Sequence, residues 1–234
     1  MTLSKQTLDH LLEAEGSMRA AIKSAAVNEK PVVVKQFAEI LVKLEQTKKI
    51  DEIIDMIENR EEQWNTYRTV VGFIPEGESI LDFGCARGDF ERFYKTEYNE
   101  SIEYIGIDMN KQLIEAGLKV YNNEVDIRCI DWFNLESNIK KDWCINVGSC
   151  DLRYDANLKL DDNEYMHSTL KKMYQHANKG IVAIFASDQS KTNDDGLINR
   201  NAGDILNWAQ TKFGTVALDH TISSDVFVLI IYKK

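Results

Sequence analysis

Residues 79–90 are Ser-Ile-Leu-Asp-Phe-Gly-Cys-Ala-Arg-Gly-Asp-Phe. A short apolar run ends at an acid, and two glycines then lead into an amphipathic segment, which predicts a strand, a tight turn and a helix. Gly84 and Gly88 carry no side chain and adopt positive φ easily, so backbone amides in the turn can approach a ligand closely. The helix that follows points its partly positive end at the same place. The pattern predicts a small-molecule site at the carboxyl end of a parallel strand.

Two phosphate-binding motifs do not fit this turn. A dinucleotide fingerprint starting at Gly84 requires glycines at positions 86 and 89, where the chain has Ala86 and Asp89. The Asp89 carboxylate, in the first helical turn, would repel a pyrophosphate. The Gly-Lys-Ser/Thr sequence of a P-loop is also absent from the chain. The turn therefore suits a ligand with ammonium, carboxylate and hydroxyl groups and no phosphate.

Three more strand-like segments follow in the next sixty residues. Residues 103–108 end in Asp108, residues 125–132 end in Asp131 and Trp132, and residues 142–149 end in a turn at Gly148. Farther along, the pattern predicts a helix at 163–177, a strand at 180–186, a helix at 204–213 and two closing strands at 215–220 and 225–232. Strands that alternate with helical segments indicate an α/β protein with a mostly parallel sheet.

The segment from Ile80 to Gly88 resembles motif I of class I (Rossmann-like) SAM-dependent methyltransferases, usually written hydrophobic-(D/E)-x-G-x-G-x-G, with Ala86 at the middle glycine. The later strand ends follow the family's order, and the resemblance covers about residues 60 to 234. It implies a three-layer Rossmann-like methyltransferase sheet, mostly parallel with the last strand antiparallel, and S-adenosyl-L-methionine as the cofactor. The implied cofactor-binding residues are Asp82, Gly84, Cys85, Ala86, Gly88, Asp108, Met109, Asp131, Trp132 and Gly148.

The resemblance also assigns roles to three of these positions. Asp108 corresponds to the acid whose two oxygens accept hydrogen bonds from the ribose hydroxyls. Asp131 corresponds to the acid that accepts from the adenine amino group, beside an apolar side chain that covers the ring. Gly148 lies close to the methyl group and its acceptor.

The segment Trp64-Asn65-Thr66-Tyr67-Arg68 precedes the first strand. Class I methyltransferases often carry a helix here that closes over the cofactor. Trp64, Tyr67 and Arg68 share one helical face at i, i+3 and i+4, so we include them among the cofactor-binding candidates. The alternative is that Trp64 and Tyr67 pack on the sheet, as buried aromatic side chains commonly do.

The chain divides near residue 60. Residues 1–60 carry three amphipathic helical patterns, which predict a helical extension, and residues 61–234 form the domain that resembles a methyltransferase. The extension could pack on that domain as a lid, make a homo-oligomer, or dock onto a protein partner. Sequence alone leaves these three roles open.

Composition excludes several classes of function. The net charge of −10 argues against broad nucleic-acid binding, which needs a basic surface. No run of eighteen apolar residues is present, so no membrane span is expected. Four cysteines without Cys-x-x-Cys spacing and four scattered histidines argue for free thiols, a cytoplasmic protein and no metal. A virion component of phage origin is the alternative location.

The acceptor side of the predicted site is less defined. With only two prolines, the chain lacks the Asp/Asn-Pro-Pro-Tyr motif of base-amino methyltransferases and the Pro-Cys nucleophile of cytosine-C5 enzymes. Asp151, Tyr154 and His167 are the candidate catalytic bases. A metal-assisted site at Asp151, Asp188 and Gln189 is the weaker interpretation, because acids in loops are usually solvated. The long loop at 187–200 is expected to shape the substrate pocket, with disorder as the alternative.

These observations predict a bacterial or phage methyltransferase that transfers the methyl group of S-adenosylmethionine to a small-molecule acceptor by in-line displacement. Two alternatives remain: a structural or assembly protein, and a SAM-binding regulator without catalysis, because a fold does not dictate a function.

Overall fold

The computed structural model describes residues 60–152, 161–191 and 197–233, with side chains from residue 63 onward. The chain divides into two compact units, Met1–Gln63 and Trp64–Lys234. The helical extension predicted for residues 1–60 lies outside the described residues except for its last position. Its role as a lid, an oligomerisation element or a docking element therefore stays a prediction.

The described residues form five α-helices, seven strands and two short 3₁₀ turns. In chain order these are α1 (Arg60–Val71), β1 (Ile80–Phe83), α2 (Asp89–Tyr98), β2 (Tyr104–Asp108), α3 (Lys111–Val120), β3 (Ile127–Cys129), a 3₁₀ turn at Trp132–Asn134, β4 (Lys141–Val147), a 3₁₀ turn at Ser149–Asp151, α4 (Asp162–His176), β5 (Ala177–Ala186), α5 (Ala202–Phe213), β6 (Val216–Asp219) and β7 (Val226–Tyr232).

All seven strands belong to one sheet with the order β3-β2-β1-β4-β5-β7-β6. Strands β1 to β5 pair in parallel, and β7 pairs antiparallel with both β5 and β6. The chain order reverses between β1 and β4, and ligands bind at such a switch point in open α/β sheets. The predicted fold class, a mostly parallel sheet with its last strand antiparallel, is confirmed.

Alternate residues of each strand face opposite sides of the sheet, which creates two separate cores. In β1, Leu81 and Phe83 join the core formed with α4 and α5, while Ile80 joins the core formed with α1, α2 and α3. Helices therefore cover both faces and produce three layers. Burial on both faces explains why the strands are nearly continuous apolar runs in the sequence.

Side-chain caps set where the helices near the site begin. The Asn110 side chain accepts hydrogen bonds from the amides of Gln112 and Leu113 at the start of α3, directly after β2. Asp161 and Glu164 form a capping box at the start of α4. None of the helices in the described ranges is both long and apolar enough to cross a membrane.

Candidate active site

A cleft of about 650 Å³ opens where β1, β2 and β4 end. This volume is within the range of about 300–1,000 Å³ that is usual for small-molecule sites. The described residues that line the cleft come from the turns after these three strands and from the chain beyond β4. They are Gly84, Ala86, Asp108, Met109, Asn110, Leu113, Val147, Gly148, Ser149, Leu152 and Leu197.

The turn after β1 depends on left-handed backbone conformations. Gly84, Ala86 and Gly88 have φ values of 81°, 49° and 79°. A Cβ atom on Gly84 would lie 2.5 Å from the Cβ of Ser149, so the turn after β1 can approach the turn after β4 only with glycine there. Ala86 takes the left-handed conformation despite its methyl group, at a cost of about 1 kcal/mol.

Asp108 connects two of the loops that line the cleft. Its Oδ2 accepts a hydrogen bond from the Ala86 amide at 2.9 Å, and its Oδ1 accepts one from the Asn110 amide at 2.7 Å. Each carboxylate oxygen can accept a second hydrogen bond. Because Asp108 lines the cleft and is half-buried, it can still accept two hydroxyl groups of a ligand.

Asn146 fixes the relative position of the turns after β1 and β4. The side chain is fully buried; its Nδ2 donates to the Phe83 carbonyl at 2.7 Å and also to Ser149 Oγ. Its Oδ1 accepts from the Cys150 amide at 3.3 Å. Sequence reasoning missed this residue, although a lone polar side chain inside the apolar run of β4 was a usable signal.

Asp82 lies beneath the turn, and it does not line the cleft. It is 4 % exposed, and its Oδ2 accepts a hydrogen bond from the Tyr104 hydroxyl at 2.8 Å. Burial raises the pKa of Asp82 to about 7, although the Tyr104 hydrogen bond acts in the opposite direction. The carboxyl group supports the turn from the side of α1 and α2.

Cys85 and Gly88 also face the packed side of the turn. Cys85 is buried, and its amide donates to the Ile107 carbonyl at 3.1 Å. A Cβ atom on Gly88 would lie 2.7 Å from Cγ2 of Ile127, so this glycine permits close packing of α2 against β3. Of the predicted cofactor-binding residues, the structure brings Gly84, Ala86, Asp108, Met109 and Gly148 together in the cleft.

Asp131 and Trp132 lie just after β3. The exposed Asp131 caps the 3₁₀ turn, accepting from the Phe133 amide at 3.0 Å and from Asn134 Nδ2 at 2.9 Å. Trp132 is 1 % exposed and donates from Nε1 to Thr169 Oγ1 at 3.3 Å. Neither residue lines the cleft within the described part of the chain.

The three candidates on α1 contact α2. The rings of Trp64 and Phe93 meet edge to face with centroids 5.5 Å apart, and Tyr67 is buried against Phe90 and Phe93. Arg68 forms an ion pair with Glu97 at 2.7 Å. These ring contacts of Trp64 and Tyr67 are with α2, and the predicted lid role and cofactor contacts of these three residues stay predictions.

The candidate bases have different surroundings. Asp151 is 2 % exposed, and its Oδ1 accepts from Arg200 Nε at 2.8 Å while Oδ2 accepts from the Ala186 amide at 2.6 Å. Burial raises the pKa of Asp151 to about 7, against the lowering effect of both partners.

The second candidate, His167, stacks on Trp208 with ring centroids 3.9 Å apart, and burial lowers the pKa of the imidazole. Tyr154 lies outside the described residues.

Arg200 is a site-shaping residue that the sequence did not reveal. Besides Asp151, it donates to Asn163 Oδ1 at 3.0 Å and to the carbonyls of Cys150 at 2.8 Å and Asp162 at 3.2 Å. The guanidinium thus connects the end of β4, the start of α4 and the segment before α5. No short sequence pattern identifies such a residue, because its partners are 37 to 50 positions away.

One described end of the loop at 187–200, the end that begins at Leu197, reaches the cleft. Leu197 forms an isolated antiparallel bridge with Leu152, and both leucines line the cleft. At the other described end of the loop, the Asp188 carboxylate accepts hydrogen bonds from Asn201 Nδ2 at 2.8 Å and from Gln189 Nε2 at 3.0 Å.

Within the described ranges, no group of three or more His, Cys, Asp or Glu side chains is arranged to hold a metal ion.

Comparisons with known proteins give a clear result only at the level of structure. No protein-family profile matches the chain, and no curated protein matches its sequence. Among solved structures, the plantazolicin methyltransferase BpumL, in complex with a triazolic desmethylPZN analog and SAH, is similar with a TM-score of 0.59 and 13% identity over 96% of this chain and 98% of that chain.

Two further structures are similar in the same way. A S-adenosylmethionine-dependent methyltransferase from Clostridium acetobutylicum has a TM-score of 0.55 and 11% identity over 80% of this chain and 98% of its own. The magnesium protoporphyrin IX methyltransferase from Synechocystis, with bound SAM, has a TM-score of 0.52 and 13% identity, covering 77% of this chain and 82% of its own. At these identities the likeness shows a shared fold, that of SAM-dependent methyltransferases.

Proposed function

We propose that this protein binds S-adenosylmethionine in the cleft and transfers its methyl group to a small-molecule acceptor. The observation that carries the proposal is the position of Asp108. Its carboxylate is held by the amides of Ala86 and Asn110 at the edge of the cleft, and it retains the capacity to accept two more hydrogen bonds.

The residues of the cleft fit the proposed cofactor. Asp108 would accept hydrogen bonds from the two ribose hydroxyls, as the family resemblance implies. The neighbouring Met109 and Leu113 supply apolar surface for an adenine ring, and the open backbone at Gly84 and Gly148 admits the methionine end. A Cβ atom on Gly148 would meet no atom within 4 Å, so the cleft is open on that side.

The protein's part in the reaction is to align the acceptor and exclude water. Bound S-adenosylmethionine supplies an electrophilic methyl group on a sulfonium, so a correctly placed lone pair is the main requirement. Val147, Leu152 and Leu197 give the cleft an apolar wall beside Gly148. This wall favours an acceptor with an apolar body.

Two observations favour a small-molecule acceptor. The volume of the cleft suits a cofactor and a compact partner, and the net charge of −10 disfavours a polyanion. The structurally similar plantazolicin methyltransferase was crystallised with a triazolic desmethylPZN analog, so this fold accommodates such a ligand beside SAH.

Calorimetric titration with S-adenosylhomocysteine tests the proposal. We expect micromolar binding to the native protein and a loss of about tenfold to a hundredfold in Asp108→Asn, because charge-assisted hydrogen bonds contribute about 1.5–3 kcal/mol each. Asp126→Asn is the matched control, since Asp126 precedes β3 and pairs with Arg128 away from the cleft. No binding to the native protein at millimolar ligand would refute both the enzyme and the regulator interpretations.

A second measurement separates the enzyme from the regulator. A screen of small acceptors with methyl-labelled S-adenosylmethionine should transfer label in the native protein and much less in Asp108→Asn. Tight cofactor binding with no transfer to any class of acceptor would favour a regulator.

A further inference from the structure

A second cavity, of about 280 Å³, lies at the opposite end of β1 from the cleft. Ile80, the first residue of β1, forms part of its wall, whereas Gly84 follows the last residue of the strand. Val71 and Ile102 add aliphatic surface. The residues that surround this cavity take no part in the proposed methyl transfer.

Two tyrosines of α2 form one side of the cavity. The rings of Tyr94 and Tyr98 are tilted by 44° with centroids 4.9 Å apart. Tyr94 is 7 % exposed, yet its hydroxyl has no hydrogen-bond partner among the residues that the structure describes. The hydroxyl oxygen itself is accessible at the cavity wall, so a ligand in the cavity can form a hydrogen bond with it.

The cavity is also negatively charged. Glu76 and Glu100 line it, and neither forms an ion pair or a side-chain hydrogen bond within the described ranges. Both carboxylates are close enough to Tyr94 to raise the pKa of its hydroxyl, an effect that adds to burial. The third acid, Glu78, is paired with Lys179 at 2.6 Å. Two uncompensated negative charges therefore border an aromatic and aliphatic cavity.

We propose that this cavity binds a small organic ammonium ion. Its alkyl part would contact Val71, Ile80 and Ile102. Its cationic nitrogen would lie against the two tyrosine rings and near the two free carboxylates.

Each part of the cavity selects for this chemistry. Aromatic faces attract a cation through their quadrupole, and quaternary and alkyl ammonium ions are the usual ligands of such pairs. The carboxylates of Glu76 and Glu100 repel anions, and a purely apolar ligand would leave the Tyr94 hydroxyl unpaired. A bare metal ion is disfavoured, because no cluster of metal ligands occurs in the described part of the chain.

Titration of the full-length protein with choline and with n-butylammonium, followed by NMR, tests the proposal. The neutral carbon isostere of choline, dimethylbutanol, is the ligand control. We expect at least one of the two cations to bind about tenfold more tightly than the isostere and to shift the resonances of Tyr94 and Tyr98. If neither cation binds more tightly than the isostere, or if neither binds at millimolar concentration, the proposal is overturned.

Two test variants and one control variant locate the interaction. The double variant Glu76→Gln and Glu100→Gln should weaken cation binding about tenfold and leave S-adenosylhomocysteine binding unchanged, so this test is independent of the cleft. Glu124→Gln, an exposed charge change after α3, should alter neither. Tyr94→Phe keeps the ring and removes the hydroxyl, and it should weaken n-butylammonium more than choline, which has no N–H to donate. Cation affinity unchanged in the double variant would contradict the proposal.

Discussion

Four residues around the cleft have left-handed backbones: Gly84, Ala86, Gly88 and Gly148. They differ in what surrounds them. A Cβ atom on Gly84 would collide with Ser149, one on Gly88 would collide with Ile127, and one on Gly148 would meet open space. Backbone strain and steric exclusion can therefore be separated experimentally by choosing among these glycines.

We expect Gly84→Ala to destabilise the protein by about 2–4 kcal/mol and to abolish measurable S-adenosylhomocysteine binding. The left-handed φ of 81° costs an alanine about 1 kcal/mol, and the collision with the Ser149 side chain adds to it. Denaturant unfolding and calorimetric titration of the same sample measure the two effects.

Gly77→Ala is the matched control for this experiment. Gly77 has a nearly identical φ of 80°, but a Cβ atom there would contact nothing within 4 Å. We expect a loss of about 1 kcal/mol and unchanged ligand affinity. If the two variants lost equal amounts of unfolding free energy, the close approach of the turns after β1 and β4 would not constrain Gly84.

Among the elements, the junction of β4, α4 and the segment before α5 depends on one buried ion pair. Arg200 and Asp151 have side chains 4 % and 2 % exposed. The carboxylate and three other oxygen atoms accept hydrogen bonds from the guanidinium. Leu152 and Leu197, which line the cleft, are each within three residues of this pair, so the junction positions the acceptor side of the cleft.

Arg200→Met should lower the unfolding free energy by about 3–5 kcal/mol, because the Asp151 carboxyl then stays buried without its cation. Arg200→Lys should recover only part of this loss, since an ammonium cannot reproduce the planar fork. Chemical denaturation measures both. The exposed pair of Arg128 and Asp126 is the control, and Arg128→Met should cost less than about 1 kcal/mol. Comparable losses for the two methionine variants would show that burial of the Arg200 pair is unimportant.

Local sequence patterns were sufficient to predict the helices and strands, but they did not predict the side-chain pairs that connect one element to another. The helix predicted at 163–177 is α4 at Asp162–His176, and the strand predicted at 180–186 lies within β5 at Ala177–Ala186. Period and capping residues are local signals, so they can be read from one segment. Asp151 pairs with Arg200, 49 positions away, and Asp82 pairs with Tyr104, 22 positions away. The sequence around one member of such a pair does not indicate which residue is the other member.

At the cleft, too, contiguous motifs were predicted from the sequence, whereas the direction of a side chain was not. The glycine-rich turn and Asp108 were predicted because motif I and the strand-terminal acid are contiguous patterns, and both lie at the cleft. Trp132 was predicted beside the ligand, and the structure packs it between Phe83 and Tyr165 instead of in the described lining of the cleft. The direction of a side chain after a short strand depends on the helix that covers it, here α4, which the local sequence does not specify.

Across the whole molecule, the stability of the fold is linked to the protonation of Asp82. Burial raises the pKa of this carboxyl from an ordinary 3.8 to about 7, Asp108 raises it further, and the Tyr104 hydroxyl opposes both. Cys85 and Tyr67 also lie near Asp82. In the unfolded chain Asp82 loses its proton near pH 4, whereas the folded chain keeps it until near neutrality. Stability from this group is complete below pH 4 and is lost as the pH rises toward 7.

We therefore expect Asp82→Asn to become more stable relative to the native protein as the pH rises from about 4 to about 8, by on the order of a few kcal/mol. The amide stays neutral, and its oxygen can still accept the Tyr104 hydroxyl. Urea unfolding at several pH values measures the difference in unfolding free energy between the two proteins. The titration of Asp151 and of the histidines is common to both proteins, so it cancels in this difference. For Asp126→Asn, where the carboxylate is exposed, the difference should vary little with pH. A constant difference for Asp82→Asn would mean that Asp82 is ionised in the folded protein throughout this range, and the turn after β1 would then rest on a buried charge.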